Sequence, residues 1–253
     1  TTLYNGGVPG YTSTAPDLSV LGTAPVAAWC PSLDTAGNGT TTLTDLSGNG
    51  NNGTLTNMDA ATDWVADTGA GGVRALQTDG TSEWIALGDI GTMPTNGVIS
   101  FWTRPDAVYA AASQNIFGTN GFANQSCGFR LERNSNGSSW VLVGDDVGSY
   151  PSSARAYSLG TIASDQWSHI TIVWDTTANR LSLYRDGAVL VNNVSHSFWV
   201  TNLTDIRFGV GFSTSRGYGG RHDDIRIFNT ALTAEGIAYL YASGNGRGVQ
   251  PAA

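Results

Sequence analysis

Between Trp167 and Leu190 apolar and polar residues alternate through three successive runs, and this pattern restricts the chain more than any other. In Trp167–Trp174, Ile170, Ile172 and Trp174 fall on one side and His169, Thr171 and Val173 on the other. Leu181–Arg185 and Ala188–Leu190 alternate again on either side of Asp186-Gly187, a pair suited to the positive φ angles of a type I′ turn. The last two runs predict a β-hairpin, and the first an alternating strand before it.

The pattern continues along the chain. Short apolar runs separated by Gly, Asn, Asp and Thr predict strands at 26–30, 73–78, 83–88, 97–104, 128–133, 139–144, 168–175, 180–185, 188–192, 205–212 and 222–228. One helix is predicted near Thr233, which can cap it, with Ile237, Leu240 and Tyr241 at helical spacing and Gly244 to end it. At 253 residues the chain suits a single large all-β domain, a class that runs to about 200–250 residues. Residues 1–24 read as an extended arm, 25–244 as the domain and 245–253 as a tail.

Charge excludes one class of partner. All 12 basic residues are Arg, the net charge is −8, and no basic face is visible for nucleic acid. No stretch approaches the ~20 apolar residues of a membrane span, and the N-terminal residues lack the basic and apolar regions of a secretory signal. Cys30 and Cys127 are too few for a disulfide scaffold and are expected as free thiols in the core.

Five stretches in order carry a resemblance. They are Asp45–Leu55 (DLSGNGNNGTL), Ala75–Thr81 running to Trp84-Ile85, Ile99–Trp102 with Pro105-Asp106, Trp167 through the Asp186-Gly187 hairpin, and Gly219–Asn229 (GGRHDDIRIFN). Together they resemble the laminin-G-like jelly-roll family of the concanavalin A-like lectin/glucanase superfamily, over about 25–244. Thr78 stands where the family usually has Phe, and Gly236 where it has an acid. The resemblance implies a two-sheet antiparallel jelly-roll sandwich with one short C-terminal helix.

Enzyme chemistry finds little support. The family's glycosidases carry Glu-x-Asp-x-x-Glu on one strand, whereas Glu83, Glu132 and Glu235 are isolated. Asp145 and Asp146 are neighbours, so on a strand they point to opposite faces. No Gly-x-Ser-x-Gly elbow precedes a helix, and His169, His196 and His222 lack zinc-ligand spacing.

Calcium is the stronger chemical expectation. Related jelly rolls hold Ca2+ between an Asp of an early strand and an Asp of the late Asp-Asp strand, which carries over to Asp79 with Asp223 or Asp224. Simple alternation puts Asp223 on the core side with Ile225 and Ile227, and Asp224 with His222, Arg226 and Phe228. An inward carboxylate needs a cation or hydrogen-bond donors. Trp140, Tyr150, Trp199 and Tyr218, beside turn-forming residues, are candidate glycan contacts.

These readings point to a non-enzymatic surface protein, displayed on a larger assembly such as a bacteriophage virion and docked through residues 1–24 to a partner or a second copy. Glycans or a host surface would be its ligand. A secreted calcium-dependent carbohydrate-binding or adhesion module is the alternative, and a glycoside hydrolase of the same fold is the third reading.

Overall fold

A computed structural model describes residues 11–12, 18–67, 74–106, 113–119, 128–144, 154–198, 202–209, 216–241 and 250–251. In chain order the strands begin with β1 (Tyr11–Thr12), β2 (Ala27–Trp29), β3 (Thr42–Leu43), β4 (Gly53–Thr56), β5 (Trp64–Ala66), β6 (Arg74–Asp79) and β7 (Trp84–Gly88). They continue with β8 (Gly91–Thr92), β9 (Asn96–Pro105), β10 (Ser113–Gly118), β11 (Phe129–Asn134), β12 (Ser138–Gly144), β13 (Ala154–Thr161) and β14 (Ser168–Asp175). The last are β15 (Arg180–Arg185), β16 (Ala188–Ser195), β17 (Asn202–Leu203), β18 (Ile206–Phe208), β19 (Gly219–Phe228) and β20 (Gln250–Pro251), with helix α1 (Ala234–Tyr241) before β20.

Two large antiparallel sheets result. Sheet I runs β16-β15-β14-β9-β19-β6-β5, with β2 also paired to β19; sheet II runs β13-β12-β11-β10-β18-β7-β4-β3. The predicted hairpin forms as read, with Asp186 at φ 52° and Gly187 at φ 75° in its turn, and β14 pairs with it, buried on both faces. A Cβ on Gly187 would meet the Tyr241 ring at 2.9 Å, so close packing as well as φ requires glycine there.

Ile99, Phe101, Ile170, Ile172, Leu183, Ile225 and Ile227 of sheet I face Ile85, Phe117, Phe129, Leu131, Val141 and Phe208 of sheet II. Phe101 packs against Phe117 and Phe208 at ring-centroid distances of 5.4 and 4.9 Å. Each such ring contributes about 1.5–3 kcal/mol on burial. This is the expected jelly-roll sandwich.

A second apolar layer covers the outside of sheet I, where Val98 and Phe228 pack under Leu232, Ile237 and Leu240 of the α1 region. Thr233 caps α1 as predicted, its Oγ1 accepting the Gly236 N–H at 3.2 Å. Leu18 and Leu21, from a 3-10 turn at Leu18–Leu21, pack on the same layer. The part of the arm nearest the domain therefore lies on its own sandwich, and Tyr11–Thr12 pairs with Gln250–Pro251.

At one corner the edge strands β13 and β16 of the two sheets lie side by side. The Arg185 guanidinium donates to the carbonyls of Leu159 and Thr161 on β13, the latter at 2.9 Å. Arg155 donates to the Ser195 carbonyl of β16 at 3.3 Å.

Candidate functional site

The polar strand Gly219–Phe228 is nearly all buried, and a β-bulge decides where its charges go. Asp223 pairs with Trp102 of β9 but Arg226 pairs with Ser100, so two residues of β19 oppose Phe101. Asp224 adopts φ 49°, within reach of an Asp, to accommodate the extra residue. The bulge reverses the side-chain alternation, which corrects the expected facing. His222 lies in the core between the sheets, against Phe208 and Tyr218 at 5.4 and 5.2 Å. Asp223 shares the outer side of sheet I with Trp102, while Ile225 and Ile227 point inward.

These groups are used up internally. Asp224 pairs with Arg226 at 2.5 Å, both side chains 4% exposed. Asp223 Oδ1 accepts the Asp224 N–H at 2.7 Å and the Cys30 thiol at 3.7 Å. Burial, and then the neighbouring Asp224, push the Asp223 carboxyl well above its usual range, and burial with Asp223 does the same to the thiol. Ser100 Oγ lies 2.7 Å from His169 Nε2, but His169 Nδ1 has no carboxylate partner and both residues are buried. Burial pulls His169 and His222 down to about 3, so each is neutral near pH 7. Ser100, His169, His222, Asp223, Asp224 and Arg226 are all buried.

The calcium residues do not fit a shared ion. Asp79 pairs with Gly219, four residues from Asp223 along β19, or about 13 Å at about 3.3 Å per residue. Calcium oxygens sit about 2.3–2.6 Å from the ion, so two carboxylates on one ion must lie within about 5 Å. Asp79 instead closes its own turn, accepting the N–H of Thr81 at 2.7 Å, Ser82 at 3.0 Å and Glu83 at 3.2 Å. Among the described residues no three His, Cys, Asp or Glu side chains gather around a common point.

The aromatic candidates divide. Tyr218 is fully buried, its hydroxyl 2.7 Å from Thr103 Oγ1, and offers no surface to a ligand. Its neighbouring glycines belong to a strand start rather than to an exposed loop. Tyr150, Trp199, Cys127 and Asp145-Asp146 lie outside the described residues. Trp140 is half-buried on the outer face of sheet II, where the pairing register Trp140–Glu132–Asn115 places it beside two polar side chains.

That outer face is the best-equipped surface of the described residues. A cross-strand row runs Ala86, Arg207, Gly118, Arg130, Leu142 and Ala156. Glu132 is bridged by Arg130 at 3.0 Å and Arg216 at 3.2 Å. Arg207 sits 5.5 Å from the Trp84 ring centre and 2.7 Å from Asp205. Asn115 is fully buried, and neither atom of its amide has a hydrogen-bond partner. Trp84, Asn115, Glu132 and Arg207 escape sequence reasoning because they become neighbours only through strand pairing. Outward alternation around Leu131 was the one available signal.

The sequence matches the family described as Laminin_G_3, concanavalin A-like lectin/glucanases superfamily, over residues 79–238. No curated protein sequence matches the chain. The ligand-binding domain of botulinum neurotoxin serotype D, solved with N-acetylneuraminic acid, has a TM-score of 0.62 at 15% identity, over 89% of this chain and 52% of that one. Trypanosoma rangeli sialidase with the inhibitor DANA gives 0.61 at 13%, over 85% of this chain and 32% of that one. Domain 4 of AbnA, an extracellular GH43 arabinanase from Geobacillus stearothermophilus, solved with arabinotriose, gives 0.57 at 18%, over 87% and 98%. The chain thus spans about half of the neurotoxin chain and a third of the sialidase chain. At these identities the likeness is one of fold.

Proposed function

The chain belongs to the Laminin_G_3 family of the concanavalin A-like lectin/glucanases superfamily, and from that premise we propose that it is a non-catalytic carbohydrate-binding module whose ligand lies across the outer face of sheet II. The observation that carries this is the pair of outward tryptophans flanking a polar strip. Trp84 on β7 and Trp140 on β12 are four strand spacings apart, about 19 Å at about 4.8 Å each. Indole faces stack on the C–H faces of sugar rings, while Glu132 and Arg207 between them supply groups for hydroxyls.

Two fold relatives solved with saccharides, N-acetylneuraminic acid and arabinotriose, support the reading. The carboxylates also favour binding over hydrolysis. A glycosidase needs two of them about 5–10 Å apart and available to the substrate, whereas Glu132 and Asp205 on this face are already ion-paired.

A glycan array and affinity electrophoresis in soluble polysaccharides test the proposal. Trp140→Ala should weaken binding about tenfold, equivalent to about 1.4 kcal/mol. Wild-type affinity in that variant, or release of reducing sugar by the wild type, would count against it.

The setting is a finer proposal. We place the module on the surface of a larger assembly such as a virion, with a secreted calcium-dependent adhesion module as the alternative. The ribbon joining Tyr11–Thr12 to Gln250–Pro251 supports the first, since it gathers both terminal segments at one place for docking. Light scattering of the full chain against a variant lacking residues 1–17 should show a loss of self- or partner association. An unchanged mass and unchanged partner capture would remove this placement.

A further inference from the structure

A second cleft lies on the opposite side of the sandwich, on the outer face of sheet I beside the loop that leads into α1. It has a volume of about 330 Å³ and is lined by Asn96, Asp175, Arg180, Ser182 and Asn193, with Val173, Trp174, Ala178 and Ala231 as its apolar part. Strand register builds it, because Asn96, Asp175 and Arg180 form one cross-strand row and Val173 and Ser182 the next. The edge strand β16 shifts register here, and Asn193 takes φ 49° with its N–H donated to Ser182 Oγ at 2.8 Å. A bulge of this kind re-aims a side chain, here bringing Asn193 to the cleft.

The lining selects a ligand class. Arg180 and Asp175 are its charged groups and their charges cancel, so neither an anion nor a cation is favoured. Asp175 Oδ1 is held by the Ala178 N–H at 2.7 Å, which fixes the carboxylate and leaves its second oxygen outside that turn. Arg180 is exposed and has no ion-pair partner among the described residues. Two amides, a hydroxyl, a guanidinium and a carboxylate set in a largely apolar lining complement a ring bearing several hydroxyls and a C–H face. The volume sits at the lower end of the about 300–1,000 Å³ typical of ligand pockets, room for one or two rings rather than a long chain.

We propose that this cleft is a second saccharide site, taking a neutral mono- or disaccharide unit and independent of the tryptophan face of sheet II. It extends the carbohydrate reading to another surface, and the two can be read separately. The test is a 1H–15N spectrum of the full chain with glucose, galactose, mannose or N-acetylglucosamine at about 10 mM, enough to fill a site of about 1 mM affinity.

At least one of the four sugars should move the side-chain resonances of Asn96, Asn193 and Arg180. Arg180→Ala, at an exposed position, should weaken that response at least tenfold, whereas Trp140→Ala should leave it unchanged. The inference is overturned if no sugar moves these resonances, or if Arg180→Ala responds as the wild type does. It also fails if the indole of Trp140 alone responds, an outcome that leaves the sheet II reading standing.

Discussion

His222 offers the sharpest test of how this core is held. Its ring is fully buried between Phe208 and Tyr218, neither nitrogen has a hydrogen-bond partner, and burial lowers its pKa from 6.5 to about 3. A histidine with a lowered folded pKa contributes stability that is complete above the unfolded value. That stability is lost as pH falls below 6.5, because the unfolded chain takes up a proton the folded one refuses. At pH 4.5, two units below 6.5, the loss is on the order of 3 kcal/mol. His169, lowered to about 3 by burial and then by Arg226, loses a similar amount over the same window. Against a total of about 5–15 kcal/mol these are large effects. Asp223, whose raised pKa acts in the opposite direction, complicates the wild-type curve taken alone. The informative quantity is therefore the difference between wild type and His222→Leu, in which Asp223 and His169 cancel. Urea unfolding followed by tryptophan fluorescence, at pH 7.5 and 4.5, should show the variant gaining on the order of 3 kcal/mol on the wild type as the pH falls. Parallel stability curves would refute the reasoning, since they would mean that His222 titrates in the folded state as it does in the unfolded one.

The bulge makes a second prediction. Arg226→Met leaves Asp224 buried without its cation and should cost about 3–5 kcal/mol by chemical denaturation. Asp224→Asn combined with Arg226→Met should recover most of that, because Asn tolerates the positive φ at this position; a single-variant cost under about 1 kcal/mol would sink the argument. Glu83 has the opposite pH sense to His222, its pKa raised from 4.5 to about 7 by burial and then by Asp63 and Asp79. Its stability contribution is complete below 4.5 and declines as pH rises towards 7. Glu83→Gln should therefore melt above wild type at pH 8 and level with it at pH 4, by calorimetry. Solvent screening of this partly exposed group holds the gain to about 1 kcal/mol or less, and an equal gain at both pH values would rule the mechanism out.

The strands that alternate cleanly were legible in the sequence. Ser168–Asp175 and Arg180–Arg185 fall where the pattern puts them, and Asp186-Gly187 turns as its φ preferences require. Thr42–Leu43, Gly53–Thr56 and Ser113–Gly118 were not, because they are short or open on polar residues, nor was Ala154–Thr161, whose ARAYSLGT mixes small and polar residues without clean alternation. The site was less legible for a geometric reason. A single bulge at Asp224 reverses every side chain beyond it, and alternation carries no mark of such a step. Tyr218 beside glycines looked like a loop aromatic, yet those glycines let the backbone close over it: a Cβ on Gly220 would meet its ring at 2.6 Å. The cross-strand neighbours of Trp140 depend on pairing among β10, β11 and β12, which no linear motif encodes.

The corner where β13 and β16 meet bears on how many copies of this molecule can share a small volume. A bare strand edge is a template on which a neighbouring chain can extend the ladder. Here Arg185 occupies carbonyls of one edge from the opposite sheet, and Arg155 does the same in return. The two edges quench each other with cations that also keep the corner hydrated. Densely arrayed copies would then not fuse sheets end to end through this corner.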